Sequence, residues 1–118
     1  MELYWARLKT EGPYPLRRGA WYPVTEFKQD VVRLDVHWEP VTVPRSAIEI
    51  VDTRPLRWTV VPRPRKAVRL PESWGPRYGV CPNCGNRSSL ETTPLAMGCQ
   101  QCEGLFPVAW EEKYLGRE

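Results

Sequence analysis

Val31-Val32-Arg33-Leu34-Asp35-Val36-His37-Trp38 alternates in character, with Val32, Leu34, Val36 and Trp38 on one side and Arg33, Asp35 and His37 on the other. Successive side chains of a strand point to opposite faces, so this period of two predicts a half-buried antiparallel strand. His37 falls on its water-facing side as a surface histidine. Working outward, Leu3–Lys9 and Gly19–Phe27 are the strands expected before it, separated by the turn-rich Glu11-Gly12-Pro13-Tyr14-Pro15. Val41-Thr42-Val43 follows a turn at Pro40, and Pro44-Arg45-Ser46 predicts a single 3₁₀ turn before a last strand, Ala47–Val51.

Five short strands with a tight turn before the fifth predict a small barrel. The segments Leu16-Arg17-Arg18-Gly19-Ala20-Trp21-Tyr22-Pro23-Val24, Val41-Thr42-Val43-Pro44 and Ile48-Glu49-Ile50-Val51 resemble SH3-like barrels of the Tudor, KOW and RNA polymerase-interacting kinds, over roughly residues 3–52. The resemblance implies binding of proline-rich peptides, modified side chains, RNA or polymerase subunits, and the fold alone does not choose among them. Tyr14, Trp21, Tyr22 and Trp38 are either an aromatic platform or core. Trp21 and Tyr22 are adjacent, so on a strand they face opposite ways and at least one lies outside the barrel core.

Composition narrows the rest. The chain has 118 residues with a single histidine, 13 prolines, 8 glycines and 6 tryptophans. One histidine excludes a two-His metal centre or a catalytic His pair, and scattered Pro and Gly disfavour long helices. No apolar run reaches the roughly 18 to 20 residues that span a bilayer, and the first ten residues carry Glu2, Arg7 and Lys9 in place of a signal-peptide apolar core. The expectation is a cytoplasmic protein with no membrane partner.

Charge is segregated. Residues 1–52 hold seven basic and eight acidic side chains, residues 53–77 seven and one, and residues 78–118 three and five, so the formal charge of +3 originates in the middle. The basic residues there are Arg54, Arg57, Arg63, Arg65, Lys66, Arg69 and Arg77, interleaved with Pro55, Pro62, Pro64, Pro71 and Pro76. Alternating Pro and Arg favours an extended, solvated backbone. It reads either as a stiff soluble spacer or as a basic strap that lies along phosphates or an acidic surface. Within it, Trp58-Thr59-Val60-Val61 has the character of a strand that would add to the N-terminal sheet.

Cys81-Pro82-Asn83-Cys84-Gly85 and Cys99-Gln100-Gln101-Cys102-Glu103-Gly104 are two Cys-x-x-Cys turns with fourteen residues between them, and they use every cysteine of the chain. Four thiolates match tetrahedral zinc. Gly85 stands where the backbone turns back and a positive φ is useful. The pattern resembles the zinc-ribbon family in its Cys-Pro-x-Cys-Gly knuckle form, over about residues 79–110, which implies one structural Zn²⁺ held by Cys81, Cys84, Cys99 and Cys102. Rubredoxin-like iron is disfavoured because that family spaces its knuckles farther apart. A disulfide framework conflicts with a reducing compartment, and a thioredoxin-type motif lacks its βαβ context. Ser88–Thr92 and Leu95–Met97 are expected as a hairpin about Thr93-Pro94, with Leu105–Trp110 as a third strand placing Phe106, Val108 and Trp110 on one face. A unit this small cannot fold on apolar burial alone, and a four-thiolate site contributes on the order of 10 kcal/mol.

The organisation expected is therefore mainly β: an SH3-like small barrel at 1–52, a basic Pro-rich linker at 53–77 and a four-cysteine zinc ribbon at 78–118. A closed site of four thiolates has no open coordination position, and no Gly-rich phosphate loop or carboxylate pair is present, so no enzyme and no small-molecule substrate are expected. The leading function is an adaptor that binds nucleic acid, or a protein of a nucleic-acid machine, in transcription or translation. Its candidate residues are Arg54, Arg57, Arg63, Arg65, Lys66, Arg69, Trp21 and Trp38, with Arg17 and Arg18 assisting. The alternative is a protein–protein module or small subunit of a larger complex. RNA, DNA or protein, and the oligomeric state, are left open. Because residues 78–118 are net acidic, phosphate contacts are expected mainly from the linker.

Overall fold

Alternating apolar and polar side chains build the first sheet. The computed structural model describes residues 3–10, 14–63, 70–90, 94–112 and 114. Strands β1 (Trp5–Leu8), β2 (Tyr22–Phe27), β3 (Val31–Val36), β4 (Glu39–Pro44) and β5 (Ile48–Val51) form one antiparallel sheet in the order β4-β3-β2-β1-β5. A 3₁₀ turn, Arg45–Ala47, precedes β5, and β5 closes back on β1 through Trp5↔Val51 to Leu8↔Ile48. Ala6, Leu8, Val32, Leu34, Val43 and Ile48 point into the first core. The register of β2 on β3 shifts between Val24 and Glu26, and this bulge increases the local bend and twist.

Trp38 departs from expectation. The strand ends at Val36, which pairs with Glu39, leaving His37 and Trp38 as a two-residue turn with φ of 51° and 70°. Two positive φ values are what the twist of a hairpin demands at such a turn. Outside glycine this conformation costs roughly 1–2 kcal/mol per residue. Asp35 Oδ1 accepts the Trp38 N–H at 2.8 Å. The indole is 94% exposed rather than on the core face.

The remaining strands are β6 (Thr59–Pro62), β7 (Arg77–Val80), β8 (Arg87–Ser89), β9 (Ala96–Gly98) and β10 (Leu105–Pro107), with a 3₁₀ turn at Glu72–Trp74. They form a β6-β7-β8 sheet and a β9-β10 hairpin. Two expectations are corrected here. First, β8 pairs with β7 and β9 with β10, so the hairpin expected about Thr93-Pro94 does not form among the described residues; Thr92 and Thr93 lie outside them. Each Cys-x-x-Cys turn is instead the tip of its own hairpin. Second, Trp58–Val61 does not add to the N-terminal sheet. Strand β6 pairs antiparallel with β7, from Thr59↔Val80 to Pro62↔Arg77, and Trp58 bridges Val108 in parallel.

The reason is that β6 is buried on both faces. Val61 enters the first core beside Tyr78 and Val80, while Trp58 and Val60 enter a second core with Cys81, Cys99 and Val108. Met97 and Phe106 pack against that second core, and the Trp58 indole N–H donates to the Met97 carbonyl at 3.0 Å. A strand with two apolar faces lacks simple alternation. Gly19, with φ 83°, lets the turn before β2 approach this strand; a Cβ there would lie 2.6 Å from Val61 Cγ2.

Arg7, 3% exposed, completes the seam. It donates from Nε to Glu49 Oε1 at 3.0 Å and from Nη1 to Thr59 Oγ1 at 2.9 Å, and it also reaches Glu112. The rings of Trp21 and Tyr114 flank its guanidinium, each centroid 4.5 Å away. Burial works against its charge, but Glu112 and Glu49 outweigh that and raise its pKa. No helix among the described residues is long and apolar enough to cross a membrane.

Candidate metal centre and arginine collar

The two Cys-x-x-Cys turns have the same local geometry. In the first, the Cys81 N–H donates to Asn86 O at 2.9 Å and the Gly85 N–H to Cys81 O at 3.0 Å. In the second, the Cys99 N–H donates to Gly104 O and the Glu103 N–H to Cys99 O, both at 2.8 Å. Gly85 and Glu103 are thus equivalent, and both have positive φ, 77° and 64°. Backbone amides also approach sulfur: Asn83 N–H to Cys81 Sγ and Cys102 N–H to Cys99 Sγ, each at 3.4 Å. Such donors stabilise thiolate charge.

All four Sγ atoms lie within 4.8 Å of one another. Cys81 and Cys102 are 3.7 Å apart, Cys84 and Cys99 3.5 Å. A tetrahedral ion with bonds of about 2.3 Å sets its sulfurs about 3.8 Å apart, so the cluster has the size and donor set of a single-ion site. Burial pushes the Cys84 thiol up to about 12 and raises Cys81 as well. Hydrogen bonds from the Asn83 side chain and the Gly104 backbone bring Cys102 down to about 6.

No protein-family model matches the sequence, and neither a curated protein nor a solved structure shows significant similarity to it.

Around the first turn the structure gathers arginines. Arg17 Nη1 donates to the Gly85 carbonyl at 2.7 Å, and Arg54 Nη2 donates to Asn83 Oδ1 at 2.7 Å. These acceptors are neutral, so neither contact cancels the guanidinium charge. Burial raises the Tyr78 phenol, while Arg87, Arg18 and Arg17 act on it in the opposite direction. Two arginines from separate parts of the chain, Arg17 and Arg54, thus form a collar on the first Cys-x-x-Cys turn.

The other expected binding residues divide. Arg57 forms an ion pair with Glu111. Arg63 is a loop clasp: Nε donates to the Gly75 carbonyl at 2.7 Å and Nη1 to the Leu70 carbonyl at 3.4 Å. Arg65, Lys66 and Arg69 lie outside the described residues. Trp21 is half-buried against Arg7, and Trp38 is exposed. Tyr22 is core, its hydroxyl accepting the Arg17 N–H at 2.9 Å. Arg7 was not among the expected functional residues. An arginine in an otherwise apolar strand, Trp5-Ala6-Arg7-Leu8, was its only local signal.

Proposed function

We propose that the chain is a non-enzymatic zinc-ribbon adaptor, one Zn²⁺ held by Cys81, Cys84, Cys99 and Cys102, that binds nucleic acid beside the first knuckle. The SH3-like barrel is its second rigid element. One observation carries this reading: Arg17 and Arg54 converge on the knuckle through Gly85 and Asn83 with no acidic partner in those contacts. Zinc with four thiolates carries two net negative charges, which Arg17 and Arg54 offset at the knuckle, so this face presents guanidinium donors rather than net anionic charge. Such a surface attracts phosphates. Arg65, Lys66 and Arg69 add further basic charge in the sequence between β6 and β7. Four sulfurs that complete a tetrahedron leave no position for water or substrate, which supports a structural rather than catalytic metal.

The test is binding of the zinc-loaded protein to fluorescent single- and double-stranded RNA and DNA across a salt series. Expected is a steep fall of affinity with salt, and a slope lowered by about two in Arg17→Ala/Arg54→Ala. Absence of binding at low salt overturns the reading.

A second reading, a protein-docking subunit, is favoured by two exposed leucines at the β9-β10 hairpin, Leu95 just before β9 and Leu105 at the start of β10. Neutralising the collar would leave such docking intact, whereas Leu95→Ser/Leu105→Ser would weaken it.

A further inference from the structure

The turn at His37-Trp38 is made by residues that adopt its conformation poorly. Both φ values are positive where Asn-Gly would fit without strain. Asp35 holds the Trp38 N–H and so fixes the turn. The result is the most exposed large apolar side chain of the described residues, at 94%. Nothing in the fold is gained by holding an indole in water on a strained turn, and backbone strain of this kind concentrates at ligand sites.

What lies beside the indole is informative. Trp38 and His37 form one side of a cleft of about 520 Å³ whose other walls include Trp21, Arg17, Asn83 and Gln101. Asn83 comes from the first Cys-x-x-Cys turn and Gln101 from the second, so the barrel supplies aromatic rings and the ribbon supplies amides. The volume is that of a site for one small group, within the roughly 300–1,000 Å³ of ligand clefts. Arg17 is part of the knuckle wall, and Arg54, which lies outside the lining, bonds to Asn83 Oδ1. The acidic group in the lining, Asp35, has its Oδ1 engaged by the turn.

We propose that this cleft binds single-stranded nucleic acid, an unpaired base stacking on the Trp38 indole. The amide of Gln101 meets the base edge, and Arg17, with Arg54 beyond the lining, meets the phosphates. The inference rests on the nucleic-acid reading above and adds a strand preference to it. An indole at a hairpin tip offers a flat π face, which any base can cover once it is out of a duplex stack. Amide side chains pair donor and acceptor atoms as base edges do. A proline-rich peptide would use the rings but leave the guanidinium charges unanswered.

The test compares an oligouridine dodecamer with an RNA duplex of the same length, each fluorescently labelled, on the zinc-loaded full chain. Trp38→Ala is expected to weaken oligouridine binding about tenfold or more, to change duplex binding less than twofold, and to leave the salt slope intact, since stacking releases no counterions. Trp38→Phe should recover most of the loss. The side chain is exposed, so both variants should keep the wild-type melting temperature, and an unchanged melt confirms the comparison. If Trp38→Ala binds oligouridine as wild type does while Arg17→Ala/Arg54→Ala weakens it, the stacking site is overturned and the nucleic-acid reading stands. If neither RNA binds at low salt, both fall. Displacement of bound oligouridine by a proline-rich peptide that itself needs Trp38 also overturns the assignment.

Discussion

Arg7 and Glu112, 105 positions apart in the chain, meet in a bidentate pair, Nη1 to Oε1 at 3.1 Å and Nη2 to Oε2 at 2.6 Å. The pair ties β1 of the barrel to the segment after β10. Glu49 takes the Nε–H and Thr59 the second Nη1–H of the same guanidinium, so the buried charge is answered on each side.

Removing that charge strands two carboxylates. Arg7→Met should destabilise the protein by about 3 kcal/mol, at the lower end for a broken buried pair because Glu112 stays partly accessible. Arg7→Lys should recover only part, since an ammonium cannot form the two-pronged contact. Urea unfolding of the zinc-loaded protein measures both. A midpoint unchanged in Arg7→Met would show that the pair contributes nothing.

Metal removal should act first on the second core. Cys81 and Cys99 are themselves part of it, beside Trp58, Val60 and Val108. With chelator, or in Cys84→Ser, amide shift dispersion should collapse across 77–110 while β2 to β5 stay dispersed. The barrel's own melting temperature should fall as well, because Val61, Tyr78 and Val80 belong to the first core. A metal-free spectrum identical to the loaded one would refute this.

The equivalence of Gly85 and Glu103 makes a reciprocal pair of substitutions informative. Glu103→Gly should stabilise the loaded protein by about 1 kcal/mol, since the left-handed backbone then carries no side-chain penalty. Gly85→Ala should destabilise it by at least as much, because its new Cβ also meets Ala20 Cβ at 3.3 Å. Thermal melts that move in the same direction for both would contradict the shared geometry.

Alkaline pH should weaken the barrel through Tyr114. Burial pushes its phenol up to about 12, against an ordinary value of 10.0. A raised folded-state value means that the contribution is complete below about pH 10, where the unfolded phenol is still protonated, and is lost as pH climbs toward 12. Stability should therefore fall over that window. Tyr114→Phe should flatten the fall, at a cost near neutrality of about 1 kcal/mol because the Gly19 N–H loses its acceptor at 3.0 Å. Equal slopes in the two proteins would exclude Tyr114 as the source.

How much of this was legible depended on the range of the determining contact. Alternation at Val32 and Leu34 depends on neighbours two positions away, and it located the strand correctly. The same alternation ran on through His37 and Trp38, because the turn there carries no Gly or Asn to interrupt it. The four thiols were readable from spacing, since each pair lies within one turn. The collar was not, because Arg17 lies 68 positions from Gly85 and Arg54 29 from Asn83. Strand β6 was legible as a strand in Trp58-Thr59-Val60-Val61, but its pairing was not, because its partner β7 lies beyond a Pro- and Arg-rich stretch that reads as a solvated spacer.

The Arg7 clasp also imposes an order on biosynthesis. Arg7 is synthesised 105 residues before Glu112, an interval of roughly 5–20 s at ordinary elongation rates. During that interval the strands of the barrel are present but the pocket of their cation is half built, with Trp21 and Glu49 in place and Glu112 and Tyr114 not yet made. A nascent chain stalled before residue 112 is thus a barrel with an open seam, and Glu112 and Tyr114 close it.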